Sequence, residues 1–394
     1  MKDLIIHVGV SGFPKGNATA QRIKMTFWAL KEAGFKVIIF NKESVNKNNP
    51  NTHVISWFEG LPIIQTSCIL NRPSNFIIRN INKISGLLGE LKAIFRLRHK
   101  IEAAIVYTPS FFELVYYYLL SKIFKFSVIL SYVELRSSIS TRQTAMFRFN
   151  DYLFDQYCSY FCDSIIAISD FLINNVRNQN SKLPILKIPA ITNFKEFDDI
   201  LRTIEKYNYL MYCGTIQYTD VILFLLDLFS ELKNQISYPG KLVLIISGDS
   251  PTNYTTIKNR IKETGLQDHI IFFSNIPYNQ LLSLYKGADA LLIPLRHSTQ
   301  DIARFPHKIS EYSASGRPII STRVGEVSIY FENTKSAFLA EEYSVESYLA
   351  VLQNLNDKEH LTTVGNEGKK IGETHFHYSN YTEKLKSFIQ LSSM

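Results

Sequence analysis

The residues best suited to chemistry stand in one short span, "RFPHKISEYSASGRPIIST" at 304–322. Lys308 and Glu311 lie three apart at the start of a predicted helix and therefore share one face. Pro306 suits the first turn of that helix, where backbone N–H groups lack partners and the positive end of the dipole attracts phosphate. A lysine beside them adds a mobile positive charge for a diphosphate. A carboxylate one turn further only accepts hydrogen bonds, which fits the hydroxyls of a ribose. Gly316 and Pro318 close the helix and open the next strand. These parts make a nucleotide-diphosphate site. By spacing alone, the same residues equally describe a surface Lys–Glu pair between ordinary helix boundaries.

The surrounding elements decide where such a span sits. "GADALLIPLR" (287–296) and "RPIISTRVGE" (317–326) are short apolar strands on either side of it. A charged helix start between two buried strands is where an open α/β sheet binds ligands. Further strands in this half are "YNYLMYCG" (207–214), "KLVLIISG" (241–248) and "HIIFFS" (269–274). The first half alternates in the same way. "LIIHVGV" (4–10) is a continuous apolar run, the pattern of a buried parallel strand, and leads through "SGFPKGN" (11–17) into a helix over 18–34. There Ile23, Phe27 and Leu30 recur at helical spacing and Gly34 makes a C-cap. "FKVIIF" (35–40), "AAIVY" (103–107), "FSVILSY" (126–132) and "SIIAIS" (164–169) continue the series. The expectation is an α/β protein of two Rossmann-like, doubly wound domains facing a central cleft, residues 1–195 and 196–375. A hinge lies within 194–206, and a last amphipathic helix over 376–394 packs back on the first domain.

The 394-residue chain carries a net charge of +8, and its distribution is uneven. Residues 1–200 hold 24 Lys and Arg against 15 Asp and Glu, a net of +9; residues 201–394 hold 19 against 20, a net of −1. An anionic partner for the first half follows: a lipid surface, a phosphorylated acceptor or nucleic acid. Nucleic acid fits least, because no basic–aromatic binding motif appears. Cys68, Cys158, Cys162 and Cys213 show no paired CxxC spacing, which points to core thiols in a reducing, cytoplasmic setting. No signal peptide or membrane span is expected.

Residues 207–330 resemble the C-terminal half of the GT-B glycosyltransferases, in the large retaining family 4. The resemblance rests on Phe305, Pro306, Lys308, Glu311, Tyr312, Ala314, Gly316 and Pro318, with Gly325–Glu326 downstream. "YCGTIQYTD" (212–220) is similar to the family's glycine-containing loop, and "SNIPYNQLLSLYKGADALLIP" (274–294) to its segment ending in Ala-Asp and Pro. The first half matches more loosely, through "GFPKGNATAQRI" (12–23) and "IIAIS" (165–169). The resemblance implies transfer of a sugar from a nucleotide-diphosphate donor with retention of configuration. It implies donor contacts at Glu311, Phe305, Pro306, Gly214 and Thr215, with Gly12 and Gly16 near the phosphates and sugar. It also implies no metal ion and no other cofactor, in line with the lack of an Asp-x-Asp motif or a His/Cys cluster. An acceptor that is a glycan or a lipid-diphosphate-linked glycan, in capsular or other cell-surface polysaccharide synthesis, follows from the same likeness.

The match has gaps. Many members carry a second Glu eight positions before the one matching Glu311, but Ala303 stands there and Asp301 is the nearest acid. Many place an Arg and a Lys on the diphosphate where this chain has Thr215 and Thr219–Asp220. Losing one such stabiliser lowers rates by about 10²–10³. Arg304 and Lys308 are expected to take over. Otherwise the protein is a degenerate donor-binding or scaffold subunit.

In the first half, Glu134 in "SYVELRSS" either orients the acceptor hydroxyl or pairs in solvent with Arg136 or Arg142. His7 reads as a core histidine. "NRPSNFIIRNINKISGLLGELKAIFRLRHK" (71–100) places Ile77, Ile81, Ile84, Leu88, Leu91 and Phe95 on one helical stripe, with Arg79, Lys83, Lys92, Arg96, Arg98 and Lys100 around it. Such a helix either covers a sheet or lies on an anionic membrane, as expected here for 77–100.

Overall fold

The computed structural model describes residues 2–14, 18–43, 55–69, 72–139, 142, 144–201 and 207–392. The chain divides into two compact units, residues 1–191 with 378–394, and residues 192–377.

The first unit is built on eight strands: β1 Leu4–Ser11, β2 Lys36–Glu43, β3 Ile55–Phe58, β4 Leu61–Gln65, β5 Ile101–Val106, β6 Ser127–Tyr132, β7 Ser164–Ala167 and β8 Ile185–Lys187. Their order is β3-β4-β2-β1-β5-β6-β7-β8. All neighbours are parallel except β3, which runs antiparallel to β4. The central strands are continuous apolar runs because helices cover both sheet faces. Helix α1 (Ala18–Glu32) carries the chain from β1 to β2, and α2 (Phe76–Leu97) carries it back from β4 to β5. Right-handed crossovers running in opposite directions put these helices on opposite faces. On the α1 face, Phe27 and Leu30 join Ile5, Ile39 and Ile105 in one core. The C-terminal helix Thr382–Ser392 adds Leu385 and Ile389 to it. Helices α3 (Phe111–Phe124) and α4 (Ala145–Tyr157) follow β5 and β6 on the α2 side.

The second unit has six parallel strands: β9 Tyr209–Thr215, β10 Lys241–Ser247, β11 Ile270–Phe273, β12 Ala290–Ile293, β13 Ile319–Thr322 and β14 Phe338–Ala340. The order β11-β10-β9-β12-β13-β14 reverses between β9 and β12. At such a reversal the connections leave to opposite faces and open a crevice at the carboxyl ends of the strands. The loops after Thr215 and Ile293 both emerge there.

Four strands lie outside the expected set. β3 and β4 form a hairpin whose turn, Glu59–Gly60, has positive φ at both residues (46° and 77°), the backbone a tight hairpin requires. β8 and β14 have three residues each, too few to leave a recognisable run.

His7 sits inside β1 at 3% exposure, and its Nδ1 has no hydrogen-bond partner among the described residues. Burial pulls its pKa down to about 3. The unfolded chain therefore takes up a proton near pH 6.5 that the folded chain refuses, and His7 weakens the fold progressively from pH 6.5 towards 3. The buried Glu90 works in the opposite sense. Burial pushes it up to about 7, so its contribution is complete below the ordinary carboxylate pKa and is lost as pH rises. We predict that the stability of His7→Phe relative to wild type rises by about 2 kcal/mol between pH 7 and pH 5. Urea unfolding at both values measures this, and an unchanged difference would refute it.

Cys158 and Cys162 are buried free thiols whose pKa burial raises, as core thiols should be.

Candidate functional site

The helix His307–Ala314 follows the loop from β12, with Pro306 in extended backbone just ahead of it. Pro306 is thus the residue before the helix, where its fixed φ sets the entry of the chain. Phe305 is 2% exposed and packs against the rings of Tyr330 and Phe376, at 5.6 and 5.3 Å. Its side chain anchors the loop in the core and does not line a donor surface.

Glu311 is 1% exposed, and its carboxylate is the hub of this region. Lys308 Nζ donates to Oε2 at 3.3 Å and the Tyr278 hydroxyl to Oε1 at 3.2 Å, while His307 Nε2 stands 3.9 Å from Oε1. Burial opposes ionisation of Glu311, but the Lys308 and His307 charges and these hydrogen bonds outweigh it and hold its pKa below the ordinary value. Burial likewise opposes the Lys308 ammonium, yet the neighbouring Cys213 sulfur and Glu311 together keep its pKa above the usual lysine range. The pair is charged across the neutral range. Lys308 also lies 5.8 Å from the Tyr285 ring centroid. The Tyr312 hydroxyl accepts from the Cys213 N–H at 3.2 Å, tying the helix to the end of β9.

From behind, the helix Lys358–His375 packs on this element through glycines. A Cβ on Gly365 would stand 2.4 Å from the Gly316 carbonyl oxygen, and one on Gly372 2.6 Å from Ser313 Cβ. Neither position has room for a side chain.

Gly214 lies within β9, not in a loop after it. A Cβ there would meet the Tyr212 hydroxyl at 2.4 Å. The following Thr215 has a buried Oγ1 that finds no hydrogen-bond partner among the described residues. Arg304 Nη2 is bound to Asp301 at 2.5 Å, Nη1 donates to the Tyr218 hydroxyl, and the guanidinium lies 5.0 Å from the Tyr218 ring centroid. Among the described residues only its Nε lacks a partner. Arg296 shares Asp301, at 2.8 Å, and reaches Asp220 at 2.6 Å. Asp301 is 1% exposed. Burial raises its pKa, but the two arginines prevail and hold it below the ordinary value.

In the first unit, Gly12 follows β1 with φ of 80°, and its N–H donates to Asn41 Oδ1 at 2.9 Å. Asn41 Nδ2 in turn donates to the Phe13 carbonyl at 3.1 Å, so β2 fixes the start of this loop. Gly16 lies outside the described residues. Glu134 pairs with Arg136 at 3.2 Å, while Arg142 holds Asp151 instead. Among the described residues no group of three His, Cys, Asp or Glu side chains could hold a metal ion.

Lys308 and Glu311 are therefore brought together by local spacing. Sequence reasoning missed Tyr278, His307 and Cys213 as their neighbours. His307 carries a local signal, one turn before Glu311; Tyr278, 33 residues away, carries none.

Two doubly wound parallel sheets, the second with a charged helix at its switch point, define the GT-B class of fold. Sucrose-phosphate synthase from Thermosynechococcus elongatus superimposes with a TM-score of 0.75 at 15% identity, covering 99% of both chains. HepE from Anabaena, in complex with UDP-glucose, gives 0.70 at 13% identity over 99% of this chain and 100% of that one. Residues 193–371 match the family described as glycosyl transferases group 1. A D-inositol 3-phosphate glycosyltransferase of Corynebacterium glutamicum (strain R) is 27% identical over 117 residues. That alignment covers 29% of this chain and 27% of the relative's own length.

Proposed function

We propose that this protein transfers a sugar from a nucleotide-diphosphate-sugar to a glycan acceptor, with retention of configuration and without a metal ion. The observation that carries the reading is the buried, ionised Glu311, held between Lys308 and Tyr278 at the switch point of the family-matched unit. In this reading Glu311 takes the ribose hydroxyls, and Lys308, with Arg304, offsets the charge on the departing diphosphate. Gly214 and Thr215 border the same crevice of the second unit; for the first unit, the family resemblance alone assigns Gly12 and Gly16 to the sugar and Glu134 to the acceptor hydroxyl. The UDP-glucose complex of HepE supports the donor class. The basic first half fits a lipid-diphosphate-linked acceptor in cell-surface polysaccharide synthesis, on the cytoplasmic side of a membrane. No helix among the described residues is long and apolar enough to cross one.

A second reading, a donor-binding subunit that has lost turnover, is favoured by one feature. Arg296 and Arg304 are already engaged by Asp301 and Asp220, and Thr215 stands where the resemblance would place a further cation.

A thermal-shift screen of UDP-, GDP-, ADP- and TDP-sugars separates these readings when followed by nucleoside diphosphate release with and without EDTA. Stabilisation by one donor with EDTA-resistant release supports transfer. Stabilisation without release on any acceptor supports the second reading, and no stabilisation by any donor would overturn both.

A further inference from the structure

We infer that the outer face of α2, α3 and α4 is a docking surface for an anionic lipid bilayer. The inference does not depend on the sugar-transfer reading. It starts from the way α2 is turned. An amphipathic helix on a sheet normally sets its large apolar residues against the strands. Here α2 presents Asn82, Gly86, Glu90 and Ile94 inwards. A Cβ on Gly86 would stand 2.2 Å from the Lys42 carbonyl oxygen, and one on Gly89 1.9 Å from that of Thr66. Asn82 exchanges hydrogen bonds with the backbone of Ile69, and Glu90 accepts from the Tyr117 hydroxyl at 2.6 Å. The helix is thus seated by glycines and polar groups.

The apolar stripe consequently faces away from the sheet. Phe76, Ile77, Ile81, Ile84, Leu88 and Phe95 are each more than half exposed. The neighbouring helices continue the surface. α3 lies beside α2 through the Tyr116 hydroxyl on the Leu87 carbonyl and the Phe95–Phe124 rings, and α4 lies beside α3 through Phe111 and Tyr157. Leu119 and Ile123 of α3 and Met146 and Phe149 of α4 are also more than half exposed. Among the described residues nothing covers this apolar layer, and a layer of this extent on a folded chain marks a binding face.

Charge identifies the occupant. The exposed charged side chains of these three helices are all basic: Lys83, Lys92, Arg96, Lys122 and Arg148. Their acids are withdrawn, with Glu90, Asp151 and Asp155 buried and Glu113 held on Lys42. Lys122 is paired with Asp163, and among the described residues the other four cations have no ion-pair partner and are left to meet an outside one. Two copies of so basic a face would repel each other. A bilayer with acidic headgroups matches both halves of the pattern, apolar residues entering the headgroup boundary and lysines and arginines resting on the phosphates.

The test is co-sedimentation of the full chain, without donor, with phosphatidylcholine vesicles with and without phosphatidylglycerol. Wild type should pellet with the anionic vesicles only, and less at high salt. The triple variant Lys83→Gln/Lys92→Gln/Arg96→Gln should partition about 100-fold more weakly, each cation contributing roughly fivefold. Ile84→Ser/Leu88→Ser, or Met146→Ser/Phe149→Ser should one variant fold poorly, should weaken binding at unchanged charge. Three results would overturn the inference: wild type left in the supernatant, apolar variants that bind like wild type, or a wild-type dimer in light scattering that Ile84→Ser/Leu88→Ser dissociates.

Discussion

Glu311→Ala should abolish the rise in melting temperature that a nucleotide-diphosphate sugar produces in the wild-type protein. A ligand at 100 times its Kd adds about 2.7 kcal/mol to wild type. Hydrogen bonds from a ribose diol to a charged acceptor are worth roughly 1.5–3 kcal/mol each, so losing two raises Kd by about 10²–10⁴. The same ligand concentration then lies near or below the new Kd, and the shift disappears. The variant without ligand should be destabilised modestly, by about 1–3 kcal/mol, because Lys308 and the Tyr278 hydroxyl lose their shared partner. Glu311→Gln keeps the volume and serves as the folding control. Equal donor-induced shifts in wild type and both variants would remove Glu311 from the site.

The sign of the pH dependence follows from the same contacts. Glu311 is held below its ordinary pKa, so its contribution is complete above the usual carboxylate value and is lost only as pH falls through the lowered one. Lys308 is held above its ordinary pKa, so its contribution is complete below the usual lysine value and disappears at still higher pH. Between those limits the pair should titrate silently, and the wild-type donor shift should be flat through neutral pH.

The second large effect is expected at Asp301, which behaves as an anchor and not as a replacement for the missing first carboxylate of the motif. It holds Arg296 through the backbone N–H and the guanidinium, and Arg304 through Nη2. Removing one partner of a buried ion pair costs about 3–5 kcal/mol because the remaining charge is left uncompensated. The arginines here are only partly buried, which places Asp301→Ala near 3 kcal/mol in urea unfolding. Arg304 would also lose the contact that fixes it beside Tyr218. If Arg304 serves the diphosphate, kcat should fall with donor KM changing less. A variant as stable as wild type would refute the anchoring role. A stable, inactive variant would instead point to direct participation.

The strands of both sheets were legible because parallel strands buried on both faces leave continuous apolar runs, as in β1, β5 and β10. The short edge strands β8 and β14 were not, since three residues make no run. The Lys308–Glu311 pair could be read because helical spacing is a local property. Tyr278 could not, because its approach to Glu311 depends on two helices following different strands to one crevice. Asp301 shows the limit of motif counting: counting back from Glu311 makes it only the acid nearest a vacant position, while its partners show a clamp on two arginines. The orientation of α2 was the largest gap. Periodicity identifies a stripe but not the side the sheet will take, and Gly86 and Gly89, which look like weak points in a helix, are its points of contact.

The glycines behind the helix His307–Ala314 have a consequence for how this chain tolerates change. That helix is gauged at two points where glycine leaves no space, one against main chain and one against the Ser313 Cβ and the Phe194 ring. Gly365 is set against the Gly316 carbonyl, and Gly372 against Ser313. A methyl group added at Gly365 would shift the element bearing Lys308 and Glu311, although it lies more than 50 residues away in sequence. In a saturation-mutagenesis survey selected for activity, positions 365 and 372 should therefore appear as a second, remote zone of intolerance. Their exposed helix neighbours Lys370 and Glu373 should accept nearly any residue.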